Sequence, residues 1–231
     1  MPDQAAESPV VPRAQPTGGW PNPRHLLVLA AGCLATSALM GLAVRSGPTP
    51  LDTWLHDVVV RHRGNDGHDL ARTLTQGGST RIVWPMVAVA ALVFPRTSGR
   101  RRWVTTLAFA SAAALAIGVR LELSLALSRP RPPNLDWVTT AGGFAYPSGH
   151  TSAATIGAGA LGWAITRHLK RRNARAGVWV AVATYAAVVG WTRIWLGVHW
   201  PLDVLGAWLF GVGWMSGMAA FATWVERSPT G

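Results

Sequence analysis

The chain has 231 residues, enough for one domain or slightly more. Hydrophobic residues make up 49% and charged residues only 13%, about half the charged share of an average soluble domain, so the composition points to a membrane protein. Its net charge of +11 comes from 20 arginines and one lysine, Lys170, gathered in short blocks between apolar runs; this speaks against a nucleic-acid partner, which would want them on one solvated face, and for membrane topology and anionic head groups.

Residues 1–24 carry six prolines and no apolar periodicity, and are expected to form a disordered tail ahead of a membrane domain over 25–227. Leu26–Val44 is an uninterrupted apolar run, longer than the ~7–15-residue core of a cleaved signal, and is read as a retained helix. It contains the only cysteine, Cys33, which excludes an internal disulfide and a cysteine-based metal site. "LDTWLHDVVV" predicts a surface helix, and a second spanning helix starts near Leu70, irregular around Gly77 and Gly78, and runs to Phe94. The remaining apolar runs are Trp103–Ser128, Thr151–Thr166, Val178–Thr192 and Val204–Val225. The expectation is therefore an all-α integral membrane bundle of six transmembrane helices. Arg13, Arg24, the arginines of "RTSGRRR" and "RHLKRRNAR", and Arg227 all fall on one side of such a bundle, which makes that side, with both termini, cytoplasmic.

Six spans put three polar segments together on the opposite, extracytoplasmic, face: "SRPRPP" (128–133), "YPSGH" (146–150) and "TRIWLGVHWPLD" (192–203). Each residue has an unremarkable explanation by itself. Arg129 and Arg131 suit a helix C-terminus, and Arg193 suits a snorkelling anchor. Ser148 suits an N-cap, and His150 an interfacial histidine. Asp203, four residues after His199, is a common kind of first-turn residue behind Pro201. Together they offer more. Prolines fix the arginines whose planar forks suit phosphate oxygens. The helix opened by Ser148 and Gly149 presents free N–H groups to an anion, and Asp203 can orient the imidazole of His199. Such a set can hold a phosphoryl group while one histidine attacks phosphorus and the other protonates the departing oxygen.

"RPRPP", "YPSGH" and "TRIWLGVHWPLD" resemble, in order and spacing, the three signature motifs of the type 2 phosphatidic acid phosphatase family: Lys-x6-Arg-Pro, Pro-Ser-Gly-His and Ser-Arg-x5-His-x3-Asp. The resemblance extends over roughly residues 25 to 225. It implies that His199 is a nucleophile forming a phosphohistidine, that Asp203 orients it, and that His150 is the general acid. It implies a phosphate cradle of Arg131, Ser148, Gly149 and Arg193, with no metal and no cofactor. The implied partner is a phosphorylated lipid at the outer leaflet of the cell membrane: phosphatidic acid, phosphatidylglycerol phosphate or an undecaprenyl diphosphate. Two positions depart from the pattern. Thr192 stands for the serine of the third motif and keeps the hydroxyl, whereas Ser124 stands where the family has lysine. Arg120, one helical turn earlier, is a candidate replacement. Ser124 also favours a second reading, a lipid-binding or scaffolding protein of weakened activity, and the phosphohistidine chemistry allows a third, a phosphotransferase to an acceptor other than water.

Overall fold

The computed structural model describes residues 22–95 and 98–227, and among these the regular elements are eight α-helices and two short 3₁₀ turns. Helix α1 (Pro23–Val44) opens with proline at its first position and Asn22 accepting from the Arg24 N–H at 3.0 Å. Its start corrects the expected tail by two residues: Pro23 and Arg24 are helical because proline already has the φ of a first turn. The rest of the tail, residues 1–21, and Arg96 in the basic loop lie outside the described residues.

The mixed stretch after α1 contains α2 (Pro50–His62), started by a capping box in which Thr49 and Asp52 satisfy each other's N–H groups. Next come α3 (Gly67–Thr75), a 3₁₀ turn over Gln76–Gly78 and α4 (Thr80–Val93), so the chain breaks at the expected glycine pair. Helix α5 (Gly99–Leu127) stops where Ser128 turns left-handed, φ 50°, and Pro130 bars a further turn. Helices α6 (Gly149–Thr166), α7 (Arg172–Trp195) and α8 (Pro201–Arg227) complete the bundle. Most run a turn or so past the apolar stretches, because polar and basic residues also occupy their terminal turns.

Among the described residues four helices, α1, α5, α7 and α8, are long and apolar enough to cross a membrane; α4 is apolar but has only 14 residues. Helix α6 falls outside that set for a physical reason. It is wrapped by α4, α5, α7 and α8 and is buried along nearly its whole length, so it does not need lipid-facing leucines. Its small residues let neighbours close in: a Cβ on Gly162 would stand 2.5 Å from Val182 of α7, and one on Gly157 3.1 Å from Val83 of α4. Val83, Val87, Ala113, Ala116, Ile156 and Phe210 form the core around it. The outside is the reverse of a soluble protein, with leucines, valines and tryptophans of α1, α5, α7 and α8 exposed.

Helix α1 lies antiparallel on α8, Ala30 meeting Gly213 near one end and Ser37 bonding to Gly206 O nearer the other. The C-termini of α5 and α7 and the N-termini of α6 and α8 thus share one end of the bundle, and the three polar segments meet there.

Candidate active site

Backbone hydrogen bonds tie the three segments together. Ala145 N–H donates to Arg129 O at 2.9 Å, Ser148 N–H to Asp203 O at 3.1 Å, and the Trp200 indole to Pro130 O at 3.0 Å. The loop between α5 and α6 is gathered around Arg131. Its guanidinium donates to the carbonyls of Gly142, Gly143, Phe144 and Val198 at 2.7 to 3.1 Å, which aims Nη1 at His199 Nε2, 3.0 Å away. Burial lowers the pKa of Arg131, Asp203 opposes that shift and Arg120 adds to it.

A guanidinium can only donate, so His199 Nε2 must be the acceptor and Nδ1 carries the hydrogen. Nδ1 faces Asp203 Oδ2 at 3.4 Å, an ion-pair distance short of a made hydrogen bond. The expected histidine-aspartate pair is therefore present as an electrostatic contact. Asp203 is held from elsewhere: Oδ2 accepts from Trp200 N–H at 2.8 Å and Oδ1 from Arg129 at 2.5 Å. Burial, then the charges of Arg131, Arg193 and His150, hold the His199 imidazole well below its ordinary pKa of 6.5, so the ring is neutral near pH 7.

Ser148 occupies the N-cap of α6 but does not cap it; its oxygen accepts from the Thr151 hydroxyl at 3.0 Å, and it is completely buried. The first-turn N–H groups of α6 are left without a side-chain cap. Gly149 and His150 line a cavity of about 290 Å³ with Arg120, Ser152, Ser79 and Thr80. Gly78 fits flush against His150, since a Cβ there would meet its backbone at 2.5 Å. Arg193 comes off the last turn of α7, is buried and donates to Thr75 Oγ1 at 2.8 Å, within electrostatic range of both histidines. All seven expected residues, His199, His150, Asp203, Arg131, Ser148, Gly149 and Arg193, thus meet at one end of the bundle. A larger cavity of about 610 Å³ between α6, α7 and α8 has no charged lining residue and suits no phosphate.

Sequence reasoning missed the support behind the site. Arg129, read with Arg131 as a helix-end anchor or a phosphate fork, is fully buried and bridges Asp203 to Asp52, the latter at 2.6 Å. Asp52 also receives the Leu202 N–H at 3.0 Å, linking α2 to the start of α8. Beside it, His56 Nε2 lies 3.1 Å from Asp136 Oδ2 and packs on Trp200. The Thr49–Asp52 capping box was legible in the sequence, but its carboxylate's second partner is 77 residues away. Among the described residues no three His, Cys, Asp or Glu side chains are grouped as metal ligands.

Two solved structures share the fold. A transmembrane PAP2 type phosphatidylglycerolphosphate phosphatase from Bacillus subtilis superimposes with a TM-score of 0.67 at 18% identity, over 91% of this chain and 99% of that one. LpxE of Aquifex aeolicus gives a TM-score of 0.52 at 22% identity, over 75% and 96%. In sequence, the chain is similar to an undecaprenyl-diphosphatase of Sulfolobus acidocaldarius, 34% identical over 73 residues, which are 32% of this chain and 31% of that relative. The chain thus spans about a third of the length of that curated relative. A family model described as the PAP2 superfamily matches residues 103–227, more than half the chain and the part that contains all three motifs; the chain belongs to the PAP2 superfamily.

Proposed function

We propose that the protein is a lipid phosphatase that hydrolyses a lipid phosphomonoester or diphosphate, of the phosphatidic acid, phosphatidylglycerol phosphate or undecaprenyl diphosphate class, through a phosphohistidine on His199. The observation that carries this reading is the His199 environment: a buried neutral imidazole whose Nε2 lone pair meets the Arg131 fork while Nδ1–H faces Asp203. A phosphoryl oxygen that replaces Nε2 as the acceptor of Arg131 Nη1 frees that lone pair and sets phosphorus beside the attacking nitrogen. The Nε2–P bond forms as the P–O bond to the lipid breaks, and His150 gives its proton to the departing oxygen. Asp203 stabilises the ring that has become positive. Water then attacks phosphorus, His150 takes its proton, and the P–N bond breaks to release phosphate. Arg131, Arg193, Ser148 and the N–H groups from Gly149 onward hold the oxygens throughout.

In this reading the chemistry needs no metal, α3 with α4 and the wrapped α6 complete six spans, both termini are cytoplasmic, and the site faces the extracytoplasmic side. The names of the Bacillus and Sulfolobus relatives support a lipid phosphate or diphosphate as substrate. Phosphate release in detergent micelles with excess chelator, from a panel of lipid phosphates and diphosphates, is the test. We expect chelator-resistant release that falls by at least about 10³-fold in His199→Ala. Equal release from folded native and variant protein would overturn the reading, and a phosphorylated acceptor in place of free phosphate would make the protein a phosphotransferase.

A further inference from the structure

Arg120 lies inside α5, about 10 Å before its end. A guanidinium at that depth of a membrane helix is costly unless something negative answers it. No acidic side chain among the described residues pairs with it, and its one hydrogen bond is long, Nη1 to Pro147 O at 3.4 Å. It does not snorkel outward. The side chain lies against the first turn of α6, so close that a Cβ on Gly149 would stand 2.9 Å from Nη1. There it lines the 290 Å³ cavity with His150 and Ser152, and Ser152 is 2% exposed with an Oγ that has no partner. Arg131 and Arg193 are also within electrostatic range of His150, and neither pairs with a carboxylate, Asp203 being taken up by Arg129. Arg120 and His150 therefore share a cavity with the uncapped first turn of α6 and a buried free hydroxyl, and Arg131 and Arg193 lie within electrostatic range of that histidine. That environment is complementary to a multiply charged anion.

We propose that Arg120 is a phosphate-binding residue of this chain, supplying from one helical turn earlier the cation that Ser124 cannot. Ser124 is buried on the same helix, four residues on, so the two positions share a face. Arginine's longer, forked side chain covers the extra turn, and glycine at 149 leaves room for it. The role deepens the phosphatase reading and rests on it for the identity of the anion, a substrate phosphoryl group.

The test compares the full native chain with Arg120→Gln and Arg120→Gln/Ser124→Lys in micelles. Orthovanadate is the probe, read both as inhibition of phosphate release and as a rise in unfolding temperature. Arg120→Gln is expected to weaken vanadate binding at least tenfold and to slow phosphate release about 100-fold, with the vanadate-free unfolding temperature within a few degrees of native. Adding Ser124→Lys should recover tenfold or more of the lost release. Unchanged vanadate binding in Arg120→Gln overturns the proposal, as does a loss that Ser124→Lys leaves untouched in folded protein, or a native chain that vanadate does not stabilise. Should Arg120→Gln not fold, Arg120→Lys decides: a fivefold weaker vanadate response upholds the role, an unchanged one removes it. A native chain that binds vanadate through Arg120 but releases no phosphate would sink the hydrolase reading alone.

Discussion

His199 illustrates how much one side chain owes to its surroundings. Its neutrality follows from burial and from Arg131, Arg193 and His150 around it. An imidazole in the unfolded chain takes up a proton near pH 6.5, whereas the folded one does so only well below that. Below about pH 6.5 the unfolded state therefore binds more protons, and stability falls from there down to the folded value; above it this group contributes no slope. We expect the unfolding temperature in micelles to be flat between pH 8 and 7 and to decline below about 6.5, with part of that decline gone in His199→Phe. Identical profiles for native and variant protein would contradict the assignment. The same neutrality leaves Nε2 unprotonated at pH 7, which the proposed attack on phosphorus requires.

Among the elements, α6 and α2 do different work. Helix α6 presents its N-terminus to the site and its small residues to four neighbours, so its position is set by packing. Helix α2 is held by charge: Asp52 in its first turn shares the buried Arg129 with Asp203 of α8 and takes the Leu202 N–H. This cluster fixes the aspartate that faces His199. Arg129→Met would leave two buried carboxylates without their cation, and removal of one partner from a buried ion pair typically costs about 3–5 kcal/mol. Denaturant unfolding in micelles should show a loss of that order, together with a slower release of phosphate. A change below about 1 kcal/mol would mean that the network does not hold α2 to α8.

For the molecule as a whole, charge and position agree. The basic residues Arg100 to Arg102 and Arg171, Arg172 and Arg175 sit at the end of the bundle away from the site. Tyr146, whose phenol burial pushes up to about 12, donates to Ser37 O and packs against Gly206, locking α1, α8 and the site loop together at the other end. The proposed orientation can be checked in a Cys33→Ser background. Leu135→Cys, 94% exposed near the site, should react with an impermeant maleimide on intact cells, and Asn173→Cys at the basic end should react only after permeabilisation. The reverse pattern would invert the topology.

By itself the sequence determined the helical bundle, the break at Gly77 and Gly78, and the gathering of the three polar segments, with the seven candidate residues they carry, at one end of it. These are consequences of hydropathy, proline and glycine placement, and motif spacing, all of which are local along the chain. Only the tertiary structure decided that α6 is wrapped on every side, that Arg129 spends its charge on Asp52 and Asp203, and that Arg120 turns toward Gly149. Those outcomes depend on which way a side chain points and on partners far away in sequence. Arg120 lies inside one apolar run and Arg129 just past its end, and sequence alone leaves a phosphate role open to both. Packing separates them: one is buried between two carboxylates, and the other is left facing a cavity with its charge unanswered.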